Sequence, residues 1–343
     1  MNAGIIIATR EPIDTKNYTS GQEFFLYMLT RILPRYSIHV KIMDVNELME
    51  SSKRHSCDFM HLYYLGFKDI LTLRKLYKDT KMVYHVYHVE DISWTRAHEL
   101  SWKAFLLSIQ PLIYAYLATS SSIYSWLRSR AFMSRSVLVE PYYECACGFF
   151  HSQNYVNMVF EKFYNHEIRI LYIGRLNPYR SPPHMLMEIA KGVSKKTERP
   201  VRLTIVTKTE SFPYMMTRKH NNLTVDLINR RIDDEEKCYL YRKSQFFIYL
   251  TPWGNVAMNP PITILEAVYH GVIPIVSETL SKDIKVPDTL IANSLEEAVE
   301  KIILLYNSSN KEKALHSIIA SLKKVFKGFY NEDRFINSFK SFI

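Results

Sequence analysis

The chain has 343 residues, of which 47% are hydrophobic and 23% charged. That balance excludes a disordered chain and suits a soluble globular protein of about two domains. Lys and Arg number 44 against 34 Asp and Glu, a formal charge of +10, and only 9 residues are glycine. A basic excess favours an anionic partner or a solvated basic face. The glycine shortage is unusual for a protein that would cradle phosphate on backbone amides.

Ala3 to Ala8 is a short β-branched run, as expected of a strand buried on both faces. No basic stretch precedes it, so the N-terminus does not read as a signal peptide. A polar loop, Thr9 to Ser20, leads to a helical pattern over Gln22 to Leu33, which Pro34 ends. Ile38 to Val45 and Phe59 to Tyr64 read as strands, Ile70 to Leu76 as a helix, and Met82 to Val86 as a strand. Ala104 to Leu127 is apolar but interrupted by Ser108, Gln110, Pro111 and the cluster Thr119 to Ser122. It therefore predicts a core helix leading into a strand, not a membrane span. Tyr142 to His166 has no clear periodicity and reads as a linker.

A second cycle of strands and helices follows. Strands are expected at Ile168 to Ile173, Val201 to Val206, Leu223 to Leu227, Phe246 to Leu250 and Ile273 to Val276. Helices are expected at Pro183 to Val193, Asp234 to Lys243 and Pro261 to Tyr269, and three more close the chain after Leu295. The alternation predicts parallel sheets covered by helices on both faces. Within residues 169–243 there are 16 basic and 8 acidic side chains, so the positive excess is concentrated there.

The four cysteines, Cys57, Cys145, Cys147 and Cys238, are too few for a disulfide framework. Cys145-x-Cys147 lacks the two-residue spacer of common redox or zinc pairs, so free thiols are expected. His85 and His88, three apart on a strand, point to opposite faces and do not suggest a metal pair.

Two segments carry chemistry. Gly174-Arg175-Leu176-Asn177-Pro178-Tyr179-Arg180 follows a buried strand and precedes a helix. Two guanidinium groups there can grip a diphosphate, although arginines on a loop also serve as plain surface residues. Thr251 to Glu278 runs from a strand through a loop into a helix beginning near Pro261. Glu266 falls there beside Ile264, Leu265, Ala267 and Val268, where a carboxylate needs a partner. Ribose hydroxyls or a salt bridge would each serve.

Together these segments resemble the C-terminal domain of family-4 glycosyltransferases of the GT-B fold. Gly174, Arg175 and Leu176 match that family's first motif, with Arg180 at its lysine position. Ile262, Thr263, Ile264, Leu265, Glu266 and Ala267 match its glutamate motif, followed in order by Gly271, Pro274, Ile275 and Val276. Arg231 to Glu236 resembles the segment between them, where the backbone at Ile232 would read the base. Gly21-Gln22-Glu23 resembles the family's first glycine-rich turn. His88 or His85 resembles its strand-end histidine, with His88 preferred. Ser120 to Ser122 resembles its strand ending in serine. The resemblance spans about residues 3–330 and is strongest from 168 to 278.

The resemblance implies two Rossmann-like domains with a central cleft. They would be an acceptor domain at 1–160 and a nucleotide-sugar domain at 161–330, with a final helix at 331–343 returning to the first. It implies transfer of a sugar from a nucleoside-diphosphate sugar to an acceptor hydroxyl, with retention. Arg175, Arg180 and His88 or His85 would act at the reacting centre. Glu266, Thr263, Ile262, Ile232, Asn259 and Gly21 would hold the donor. No metal or cofactor is implied, and no Asp-x-Asp occurs in the chain.

The departures are specific. Met258 stands where the family has its first glutamate, and Asn259, Pro260 and Pro261 replace a glycine-containing turn. Prolines offer no N–H groups, so phosphate binding would rest on arginines and Thr263. A catalytically silent binding module and a basic nucleic-acid binder are the competing readings. The acceptor class stays open among glycan, lipid, protein and nucleic acid. A cytoplasmic protein is expected, and Trp94, Trp102 and Phe105 are candidates for either the core or a peripheral membrane contact.

Overall fold

The computed structural model describes residues 4–10, 13, 21–50, 57–86, 96–129, 135–174, 176, 182–208, 222–251, 262–278, 284–307 and 310–340. The described residues form two compact units. One holds those up to Tyr142 and those from Phe329 onward; the other holds Tyr143 to Gly328. The change of unit at Tyr142 comes before residue 160, the boundary expected from the sequence. The reason is that 143–163, far from being a linker, packs as part of the second unit.

The first unit is built on strands β1 (Gly4–Thr9), β2 (His39–Asp44), β3 (Phe59–Tyr63), β4 (Lys81–Val86), β5 (Ala115–Ala118) and β6 (Ser136–Leu138). They pair in parallel in the order β2-β1-β3-β4-β5-β6. Ile5, Ile6, Ile7 and Ala8 are all buried, as a strand covered on both faces requires. Its described helices are α1 (Gly21–Ile32), α2 (Val45–Glu50), α3 (Phe67–Leu76), α4 (Arg96–Ile109) and α5 (Ser121–Arg128). Helix α1 buries Phe24, Phe25, Met28 and Leu29, one stripe at helical spacing. Ser120 caps α5 by accepting a hydrogen bond from Ile123 N at 3.1 Å. Trp102 and Phe105 of α4 stack on each other and pack against the core cluster.

The second unit uses β7 (Ile168–Ile173), β8 (Val201–Thr207), β9 (Leu223–Asn229), β10 (Phe246–Tyr249) and β11 (Ile273–Val276). Their parallel order is β11-β10-β7-β8-β9. Helices α6 (Tyr155–Phe163), α7 (Pro183–Lys196), α8 (Asp234–Lys243), α9 (Ile262–Tyr269), α10 (Leu295–Asn307) and α11 (Lys311–Phe326) surround it. Helix α6 corrects the linker reading: Tyr155, Val159 and Phe163, spaced by four, are buried on one face. No described helix is long and apolar enough to cross a membrane.

Helix α12 (Glu332–Lys340) belongs to the first unit. Phe335, Ile336 and Phe339 are buried, with Phe335 edge-on to Phe25 and Phe339 edge-on to Phe59. At roughly 1.5–3 kcal/mol for each large apolar side chain removed from water, this face is a substantial part of that core.

Each sheet reverses direction once. In the second, the chain moves from β7 outward through β8 and β9, then returns to place β10 on the other side of β7. In open α/β sheets ligands sit at the carboxyl ends of the strands flanking such a reversal. Here those ends are Gly174 after β7 and Thr251 after β10. The corresponding point in the first sheet lies between β1 and β3.

Candidate functional site

At the end of β7, Gly174 N donates to Val206 O at 3.0 Å, carrying the ladder one residue past the strand. Gly174 has φ at +158°, and a β-carbon there would lie 3.0 Å from the Tyr172 hydroxyl. Leu176 is buried, and its N–H donates to Thr207 Oγ1 at 3.4 Å. Arg175 and Arg180 lie outside the described residues, as do Met258 and Asn259. Beyond β10, Thr251 N donates to Ser277 Oγ at 3.2 Å.

Helix α9 restarts the described chain at Ile262, which is buried. Every residue from Ile264 to Val268 is buried, including the Glu266 carboxylate at 1% exposure. Helix α8 supplies partners for that charge. Lys237 Nζ donates to Glu266 Oε1 at 3.1 Å, and Tyr241 Oη donates to Glu266 Oε2 at 2.9 Å. Tyr241 Oη also approaches Thr263 O at 3.2 Å. Lys237 and Tyr241 are one helical turn apart, so both reach the same carboxylate. Burial alone would lower the lysine's pKa, but Glu266 and Asp234 outweigh it and hold the ammonium above its ordinary value. The salt-bridge role foreseen for Glu266 is therefore present.

Ile232 is half-buried and precedes Asp233, the N-cap of α8, whose side chain accepts from Glu236 N at 2.7 Å. Arg230 clasps Glu236 bidentately at 2.8 and 2.6 Å, bracing the entry to that helix.

In the first unit, Gly21 opens α1. His85 sits at 1% exposure inside the sheet's helical cover, 5.0 Å by ring centroids from Phe25. Its Nδ1 is 3.2 Å from His61 Nε2. Burial lowers the pKa of both rings, that of His61 to about 3, so the pair is neutral at physiological pH. His88 lies outside the described residues.

No family model and no curated protein matches this sequence. Solved structures do. The Anabaena protein Alr3699/HepE, in complex with UDP and glucose, aligns with a TM-score of 0.65 at 9% identity over 98% of each chain. A glycosyltransferase from Rickettsia africae aligns at 0.65, with 12% identity over 99% of this chain and 98% of that one. An alpha-glucosyltransferase, in complex with UDP and a 13-mer DNA containing a HMU base, aligns at 0.60, with 12% identity over 100% and 99%.

The fold is GT-B.

Within this GT-B chain, the structure also assembles a group that the sequence reading kept apart. Cys147 Sγ and Cys238 Sγ meet in direct contact across 91 residues of sequence, with Cα atoms 6.4 Å apart. The sequence reading expected free thiols and kept these residues apart; Cys57 and Cys145 are free. Cys145 Sγ lies 2.8 Å from Cys147 Sγ and 3.6 Å from Cys238 Sγ. His270 Nε2 is 3.3 Å from Cys147 Sγ, while its Nδ1 lies 2.8 Å from Glu266 O. Burial lowers the His270 pKa to about 4, keeping the imidazole neutral. Spacing within the Cys-x-Cys segment could not show this, because the third sulfur and the imidazole come from α8 and the end of α9.

Proposed function

We propose that this protein is a glycosyltransferase that moves a sugar from a nucleoside-diphosphate sugar to an acceptor hydroxyl, with retention at the anomeric carbon. The observation that carries the reading is Glu266. It is a fully buried carboxylate on the helix that follows β10, next to the reversal of strand order in a GT-B chain. Solved neighbours of that fold carry UDP, which supports a nucleotide as the ligand.

In this reading the carboxylate accepts the ribose hydroxyls, with Lys237 and Tyr241 fixing its orientation. Ile232 lies by the base, and Ile262 and Thr263 stand at the phosphate end. The acceptor oxygen bonds to the anomeric carbon while the bond from that carbon to the β-phosphate oxygen breaks. The nucleoside diphosphate departs with the electron pair, and the acceptor loses its proton. Arg175 and Arg180 neutralise the charge that develops on the leaving phosphate, and Asn259 and Gly21 supply further donors. His88 is the histidine assigned to the sugar, since His85 is enclosed by Phe25 and His61.

Met258 favours a second reading, a module that binds the nucleotide sugar without turnover. The two are separated by presenting UDP-, GDP- and ADP-sugars and following both binding and release of nucleoside diphosphate. Binding with release supports the enzyme; binding without release to water or any acceptor supports the silent module. If no nucleotide binds, both readings fail.

A further inference from the structure

We propose that Cys145, Cys147, Cys238 and His270 form a structural zinc site.

The four ligand atoms lie within 4.8 Å of one another. A tetrahedral zinc ion with Zn–S near 2.3 Å and Zn–N near 2.0 Å sets its ligand atoms about 3.5–3.8 Å apart. Cys145 to Cys238 at 3.6 Å and Cys147 to His270 at 3.3 Å already approach those edges. A Cys147–Cys238 disulfide would engage only two of the four groups. It gives no reason for a third thiol and an imidazole nitrogen to converge on the same sulfur. A shared cation accounts for all four.

The surroundings fit a metal. Gly148 N donates to Cys145 O at 3.2 Å, closing a turn that presents both thiols of the Cys-x-Cys segment to one side. The His270 ring is oriented from behind by the Glu266 carbonyl, as ligating imidazoles usually are. Three thiolates around a divalent ion leave a net charge of −1. Two cations stand beside it: Arg242 donates to Cys147 O at 2.6 Å, and Lys162 donates to His270 O at 2.6 Å. Lys162 also donates to Tyr241 O at 2.9 Å, and no carboxylate pairs with it among the described residues. Lys162 Nζ also lies 5.6 Å from the Phe149 ring centroid, so carbonyls and a ring face are its neighbours there.

The chain binds the ion as reduced protein: three thiols give up three protons, the imidazole binds through Nε2, and no electron is transferred. Four protein ligands close the coordination sphere, so the ion has no open position for substrate. Its effect is to lock the 145–148 turn, α8 and the end of α9 together. This holds whatever reaction the protein performs.

The full-length chain, purified under reducing conditions with zinc and without chelator, is analysed by elemental mass spectrometry. About one zinc per chain is expected. Cys147→Ser and Cys238→Ser should lose it, Cys57→Ser in the other unit should keep it, and His270→Cys should keep it as a four-thiolate site. Because a serine variant could misfold, cobalt exchange of the unmodified chain gives an independent reading. A thiolate-to-cobalt charge-transfer band with strong visible bands marks a tetrahedral sulfur-rich site. Reduced protein that takes up no stoichiometric zinc overturns the proposal. So does zinc retained in Cys238→Ser, or cobalt giving only a weak octahedral spectrum.

Discussion

Lys237 Nζ and Glu266 Oε1 stand 3.1 Å apart, with the lysine side chain 15% exposed and the glutamate 1%. Each residue makes the other tolerable in the interior, and the pair joins α8 to α9. Removing one member leaves a buried charge without its partner, which costs about 3 kcal/mol or more. Lys237→Met is therefore expected to lower stability by that order in urea unfolding. The double variant Lys237→Met with Glu266→Gln should recover part of the loss, since no lone charge then remains. If the single and double variants unfold at the same midpoint, the two charges are not coupled.

Nucleotide binding offers a separate test of the same carboxylate. Glu266→Gln keeps the shape but weakens acceptance from ribose hydroxyls, and calorimetry should show affinity for the nucleoside diphosphate falling by about tenfold, near 1.4 kcal/mol. Arg180→Ala is expected to lower turnover more than affinity for the free nucleoside, because its charge acts on the leaving phosphate. Full activity in both variants would place the site elsewhere.

The buried pair His61 and His85 gives the first unit a pH dependence with a definite sign. Both rings have folded-state pKa values below the ordinary histidine value of about 6.5, that of His61 near 3. Between those limits the unfolded chain takes up protons that the folded chain does not. Stability is therefore expected to fall as pH drops through that window, by about 1.4 kcal/mol per pH unit for each histidine. Unfolding curves from neutral to acidic pH should show a shallower decline in His61→Leu. An unchanged slope in that variant would show that His61 is not the titrating group.

Gly271 follows α9 with φ at +67°, and a β-carbon there would lie 2.8 Å from both Phe149 Cε2 and Val159 Cγ2. Gly271→Ala combines left-handed strain with overlap, and a loss of about 1–3 kcal/mol is expected in thermal or urea unfolding.

The strands were the most legible part of the chain. Ile5 to Ala8 is apolar without interruption and Ile168 to Ile173 is broken only by Arg169, and the apolar residues of both proved buried in parallel sheets. Helix α8 was read as Asp234 to Lys243, and the structure begins and ends it there. Helix α6 was hidden because its buried face is only Tyr155, Val159 and Phe163, too few for a periodic signal. At the candidate site, the burial of Glu266 could be read from its apolar neighbours. Its partners could not: Lys237 and Tyr241 lie on a helix most of whose other residues are charged, and nothing local says which of them turn inward. The cysteine group was illegible for the same reason, since Cys147 and Cys238 meet only after the second unit has folded.

Helix α12 carries a consequence for synthesis. The first unit's interior includes Phe335 and Phe339, which are encoded after the whole of the second unit. A chain emerging from the ribosome therefore leaves Phe25 and Phe59 without these partners through the whole translation of the second unit, until α12 has been made. The second unit has all its described strands and helices encoded before α12, so it can mature first. The N-terminal half would wait in a partly open state, where chaperones have the longest access to it.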